Sequence, residues 1–241
     1  MKRSCTKEIA YVAAAALAGS AVLLWGTQGR EAQTFDQRLE SKVAAFDTRG
    51  RPLARVVLDL ASEYKLPLGI EYVDRGAVRR RLDLRLTNKT VRDILGALVD
   101  QLPQYRLSIS PGVVEIYSPQ AREDKSNVLN VVIDDFAATE TPRLTSYALY
   151  QALMDRLHQP CCLIGNVMES GDARPMALHL QRMRVYEILN ALVAQDGQSL
   201  WVPTVPPEQL SALGAKPWEV YELGWPELVM GTLQRLFPPD K

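Results

Sequence analysis

Two histidines and three cysteines in 241 residues leave the chain short of the side chains on which most chemistry runs. Three cysteines do not build a disulfide framework. With His158 and His179 as the only imidazoles, a histidine-based metal or acid–base centre has little to draw on. Charge of one sign is missing as well. The 28 Lys and Arg balance 28 Asp and Glu, so no net field favours nucleic acid or an anionic membrane. The sequence carries no G-x-G-x-x-G, no phosphate-binding P-loop, no H-E-x-x-H and no G-x-S-x-G. What is present is an ordinary globular composition, 47% apolar and 23% charged. That excludes a disordered, collagen-like or multi-span membrane chain and leaves room for one large domain or two small ones.

A single long apolar run stands out. Lys2, Arg3 and Lys7 are followed by 17 uncharged residues from Ile9 to Trp25. A basic start before an apolar stretch reads as a secretory signal peptide or a membrane anchor, at the short end of the ~17–25 residues that span a bilayer. The positive flank places the N-terminus in the cytoplasm and the body of the protein across the membrane. Thr27-Gln28-Gly29 offers small residues for a peptidase, without an Ala-x-Ala. Cys5 precedes the run instead of following it, so no lipoprotein box is present. Membrane contact is expected only if residues 1–33 stay uncleaved.

The rest of the chain repeats itself. Residues 82–99, LDLRLTNKTVRDILGALV, align with 176–193, MALHLQRMRVYEILNALV, at an offset of 94. Leu84, Leu86, Val91, Ile94, Leu95, Leu98 and Val99 fall on Leu178, Leu180, Val185, Ile188, Leu189, Leu192 and Val193, and Asp93 falls on Glu187. Upstream the offset becomes 93, with Pro67 on Pro160, as one inserted residue in the intervening loop would produce. Two copies of one unit are the simplest account.

In the first copy, Val43–Asp47 reads as a strand. Arg51-Pro52 opens a helix whose apolar face is Leu53, Val57, Leu60, Ala61 and Tyr64, ended by Pro67. Leu68–Tyr72 is a strand, and Leu82, Leu84 and Leu86 alternate with polar residues as a half-buried strand does. Asn88-Lys89-Thr90 forms a turn and helix cap. Thr90 with Asp93 three residues on is a capping pair, and Ile94, Leu95, Leu98 and Val99 form the buried face. Tyr105–Ser110 and Val113–Ser118 make a hairpin around Pro111-Gly112. The expected order is β-α-β-β-α-β-β over residues 44–118. The second copy, 127–223, repeats it less cleanly: strand Val128–Phe136, helix Leu144–Leu157, strands Cys161–Asn166 and Met176–Gln181, helix Val185–Ala194, strand Ser199–Thr204. Arg184 replaces the capping Thr. Prolines 203, 206 and 207 break the hairpin, and Trp218–Leu223 is the candidate last strand. Residues 119–126 are polar and charged and read as a linker. Pro226–Phe237, within the tail 224–241, reads as a short terminal helix. The fold class expected is α+β: two tandem small modules after an N-terminal signal or anchor helix.

The template of an amphipathic helix, the strand LGIEY, the run LDLRLTNKTVRDILGALV and the hairpin YRLSISPGVVEIYS resembles the secretin and TonB N-terminal short domain. The first copy carries it across 44–118; the second, divergent, mainly over 160–203. The resemblance implies a periplasmic protein-interaction module without catalytic residues. Neither a secretin pore region nor a receptor barrel lies within these residues, so location and type of activity carry over as expectations and a role inside a pore does not.

Few residues stand out as sites. Arg79-Arg80-Arg81 is a solvated loop or a partner-docking patch. Cys161-Cys162 lie on opposite faces of a strand, as small apolar residues or as a thiol that reacts or bonds between molecules in an oxidising compartment. His158 ends a helix, where a cation meets the negative dipole, and His179 faces water on the polar phase of its strand. Residues 44–118 carry a net charge of +3 and residues 127–203 a net −3, a weak steer for docking within or between chains. The function expected is non-enzymatic: a periplasmic or inner-membrane-anchored protein that binds an envelope protein or itself, without catalytic residue, cofactor, metal or nucleic acid, with an accessory role in a secretin or TonB-dependent system as the setting. The alternative is a module that senses a small molecule or cell-wall fragment held between the two units.

Overall fold

A computed structural model of the chain describes residues 33–71, 80–125, 127–158, 174–197, 199–203 and 221–224. The expected signal or anchor helix, Arg79, the strand at Cys161–Cys162, the 206–217 insertion and the terminal helix all lie outside the described residues. Among the described residues no helix is long and apolar enough to cross a membrane.

The chain is α+β. Helix α1 (Phe35–Leu39) leads into β1 (Lys42–Asp47), α2 (Leu53–Tyr64), β2 (Leu68–Ile70), β3 (Arg85–Thr90), α3 (Val91–Asp100), β4 (Arg106–Ser110) and β5 (Val113–Tyr117). From β1 onward this is the order expected for the first copy. A short α4 (Pro119–Glu123) and a 3-10 turn at Val128–Asn130 follow. Then come β6 (Val132–Ala138), α5 (Pro142–Leu157), β7 (Leu178–Arg184), α6 (Val185–Asp196), β8 (Leu200–Pro203) and β9 (Tyr221–Gly224). The end of the run expected as a last strand, Tyr221–Leu223, lies in β9, which pairs antiparallel with β8.

The repeat in sequence is a repeat in geometry. β1 pairs antiparallel with β3, Lys42 opposite Thr90 and Asp47 opposite Arg85. β6 pairs with β7 in the matching register, Val132 opposite Arg184 and Ala137 opposite His179. Each ladder skips the residue whose φ is positive, Asn88 at 52° and Arg182 at 51°, 94 positions apart. The C-caps of α2 and α5, Lys65 and His158, are both left-handed and lie 93 apart. The Thr90–Asp93 capping box is complete: Thr90 Oγ1 accepts from the Asp93 N–H at 3.1 Å, and Asp93 Oδ2 accepts from the Thr90 N–H at 3.3 Å. In the second box only the Glu187 arm exists, at 2.7 Å from the Arg184 N–H, because a guanidinium has no acceptor to offer.

Strand β3 starts three residues later than the leucine alternation implies. The Leu82–Leu84 backbone is bound instead to the turn after β1. Leu82 N–H donates to Arg51 O at 3.1 Å and Thr48 N–H to Leu84 O at 3.1 Å. The fully buried Thr48 hydroxyl donates to Leu82 O at 2.5 Å and accepts from Leu84 N–H at 2.9 Å. A side chain thus takes the place of a ladder rung there.

The remaining strands form one sheet in the order β4-β5-β2-β8-β9, with β2 and β8 parallel. Alternation along its strands separates two cores. Leu68, Ile70, Val114, Ile116, Leu200 and Val202 point to a cluster with α2 and α3. Val113 and Trp201 point the other way, to a cluster with α5 and α6. Being covered on both faces explains why β2 and β8 read as short continuous apolar runs and why β5 is apolar but for Glu115. Because β2 and β8 come from opposite ends of the chain, residues 34–241 form one compact unit.

The expected linker is a correction. Ser118 caps α4 by accepting from Ala121 N–H at 3.3 Å, Pro119 takes its first turn, and Ala121 and Asn127 are buried. The segment is anchored to the interior by Arg122 and Asn127, whose side chains meet buried partners, while Gln120 and Glu123 to Lys125 stay exposed.

Candidate functional site

The most concentrated chemistry lies where the shared sheet meets the connecting segment. Two glutamates interrupt its apolar strands: Glu71 at the end of β2, 0% exposed, and Glu115 in β5, 7% exposed. A buried carboxylate without a partner costs several kcal/mol, and the partner is Arg122 on α4. Its Nε donates to Glu71 Oε2 at 3.0 Å, and its Nη2 donates to Glu115 Oε1. Asn127 donates from Nδ2 to Glu71 Oε1 at 2.8 Å and to Ala121 O at 3.0 Å.

The thread continues across the sheet. Asn190 of α6 donates from Nδ2 to Glu115 Oε1 at 2.6 Å, and its Oδ1 accepts from the Trp201 indole N–H at 2.8 Å. The Arg122 guanidinium stacks 3.4 Å from the centroid of the Tyr186 ring and 4.5 Å from that of Tyr117, a cation–π clamp in a desolvated place. Two carboxylates share one guanidinium. Burial pushes the Glu71 carboxyl above its ordinary value, against the pull of Arg122 and Asn127. Burial also opposes the Arg122 charge, but Glu115 and Glu71 outweigh it and hold its pKa above the usual arginine value. Packed among strands and rings, this set has the makings of a structural lock: its donors and acceptors are committed to one another.

A second arginine ties the two halves at the helix ends. Arg38 Nη1 donates to Lys65 O, the C-cap of α2, and at 3.0 Å to Gly197 O, the C-cap of α6. One cation therefore meets the negative ends of two helices. Burial lowers its pKa.

The residues singled out in the sequence fall elsewhere. Arg80 and Arg81 are exposed. Their backbones serve the fold, Arg80 O accepting from Leu53 N–H at 3.0 Å and Arg81 bridging Pro52. Neither makes an ion pair among the described residues, and Arg79 is outside them, as are Cys161 and Cys162. His158 is the exposed C-cap of α5. His179 does meet a carboxylate, Asp135 at 3.0 Å, on the outer face of the β6–β7 ladder. Both side chains are about two-thirds exposed, at 64% and 66%. Separated by 44 residues, that pair was invisible to local spacing. Among the described residues no three His, Cys, Asp or Glu side chains converge as a metal site requires. The Glu71–Arg122–Glu115 set also escaped the sequence reading. Its signal was a glutamate inside each of two apolar strands, with a polar stretch nearby to supply the cation.

Among the described residues a groove of about 380 Å³ lies between α3 and β4. No family model, curated protein or solved structure matches the chain.

Proposed function

We propose that the chain is an exported envelope protein made of two tandem copies of the secretin and TonB N-terminal short domain, the second divergent, and that it works by binding other proteins without catalysing a reaction. The observation that carries this is the repeat: a template of that family, present twice at an offset of 94, with matching strand registers at both places. The basic start and uncharged 17-residue run support export to the periplasmic side, either released or anchored in the inner membrane. An accessory role beside a secretin or a TonB-dependent receptor is the setting the resemblance favours. At the junction of the two halves Glu115, Arg122, Asn190 and Trp201 bond to one another, which favours the protein-binding reading over the ligand-sensing alternative.

Two measurements test the proposal. Alkaline phosphatase fused after Lys241 is active in intact cells if the body is exported; activity confined to the cytoplasm overturns that half. Photo-crosslinkers at exposed positions in living cells capture envelope proteins or a second copy. Finding the chain crosslinked to neither overturns the other half.

A further inference from the structure

The strip of α6 that faces β2 and β5 is formed by Asn190, Val193 and Ala194. A Cβ on Gly69 would lie 2.7 Å from Asn190 Oδ1, and one on Gly112 would lie 3.2 Å from Ala194 Cβ. This strip and β8 together make a socket, and the strand Leu68–Ile70 of the other half fills it, parallel to β8 with Gly69 opposite Trp201. At the offset of 94 the same strip on α3 is Gly96, Val99 and Asp100, and Trp201 falls on Leu107 of β4. These residues line the 380 Å³ groove, with Leu102 and Tyr105 at its floor, both 1% exposed. β4 is the end strand of its sheet and has β5 as its one partner among the described residues.

The two sockets differ in size in a consistent sense. The filled one contributes the bulk, Trp201 and Asn190, and the strand it holds brings a glycine. The open one carries Leu107 and Gly96, and a Cβ on Gly96 would meet nothing within 4 Å. The matching strand for the open socket therefore brings the bulk itself. We propose that the α3–β4 groove receives an extended segment of a partner protein, which joins the edge of β4 that has no strand partner among the described residues, pairs there as a parallel strand and seats one bulky apolar side chain, Trp, Phe or Leu, between Gly96 and Leu107. This rests on the protein-binding reading and on the repeat. Backbone pairing supplies affinity and the single pocket supplies selectivity. Arg106, Ser108 and Ser110 alternate with the inward Leu107 and Ile109 and keep the other face of the edge strand polar, which guards against unselective pairing.

The test uses the full chain and two labelled octapeptides that copy residues 65–72, one unchanged and one with Gly69→Trp. Fluorescence anisotropy is expected to show the Trp peptide binding at least tenfold tighter, with hydrogen-exchange protection appearing at β4. Gly96→Trp in the protein fills the groove and is expected to weaken that binding at least tenfold. Gly96→Ala, which suits a helix better than glycine and leaves most of the space, is expected to keep it. Equal binding of the two peptides, protection elsewhere than β4, or binding that survives Gly96→Trp overturns the proposal. So does a β4 already as protected as β5 in the free protein, since the chain would then cover its own groove. If the peptides fail while crosslinks to envelope proteins survive Gly96→Trp, the groove falls and the protein-binding reading stands. Loss of export, or of crosslinks in the unmodified protein, overturns that reading instead.

Discussion

Gly69 lies so close against Trp201 that a Cβ would stand 2.5 Å from the indole Nε1. The parallel pairing of β2 and β8 therefore requires glycine at this position. Gly69→Ala is expected to destabilise by about 1–3 kcal/mol, the range for overpacking a filled core, read as a shift in urea midpoint. On a Trp201→Leu background the same change is expected to cost clearly less, and a double-mutant cycle reports that coupling. Additive costs would mean the two residues do not touch.

The shared sheet predicts one unfolding transition. Leu95 and Leu189 are both fully buried, one in each core and 94 positions apart. Leu→Ala at either is expected to cost about 2–5 kcal/mol and to move the same single calorimetric peak. Two peaks, each sensitive to only one substitution, would show the halves unfolding separately.

Arg122→Met removes the cation that Glu71 and Glu115 share. Breaking a buried pair in this way is expected to cost about 3–5 kcal/mol at neutral pH, measured by chemical denaturation. The pH dependence has a definite sign. Glu71 keeps its proton in the folded chain at pH values where the unfolded chain has lost it. The folded state thus binds more protons, and stability falls as pH rises from the ordinary glutamate range through the raised value. Glu71→Gln is expected to flatten that slope; an unchanged slope would place its origin elsewhere.

The incomplete capping box offers a gain. Arg184→Thr supplies the missing acceptor opposite Glu187 and is expected to stabilise by about 1 kcal/mol, while Thr90→Ala in the complete box loses about as much. Thermal melts of both variants check it.

Much of the architecture was legible because its signals are local. Pro52, the Thr90–Asp93 pair and the Pro111-Gly112 turn punctuate the first half, and the apolar spacing between them names each element. Three times the local pattern misled. Val128–Asn130 reads as the start of the strand expected to Phe136, yet it forms a 3-10 turn whose Leu129 N–H is capped by Asn127, and the strand begins at Val132. Leu82 and Leu84 alternate like a strand, yet their backbone is bound by the Thr48 side chain. Gln120–Asn127 has the composition of a linker, yet Arg122 and Asn127 answer Glu71, more than fifty residues away. Pairing of β2 with β8 is made through backbone groups, which no residue pattern announces. Glu71 and Glu115 could have been flagged by their polarity within apolar strands, but their partners became evident only in three dimensions.

The pairing of Leu68 with Leu200 also orders events in time. At about 5–20 residues per second of synthesis, a nascent chain that has completed β2 waits roughly 7–25 seconds before β8 exists. Until α6 and β8 exist, the face of β2 and β5 that carries Gly69 and Val113 lacks its cover. Such a long-range closure is a late and slow step, so chains halted before Leu200 should be cut readily by protease within the first half. A protein that crosses a membrane unfolded would postpone the same closure to the far side, where it must find its partner strand before another chain does.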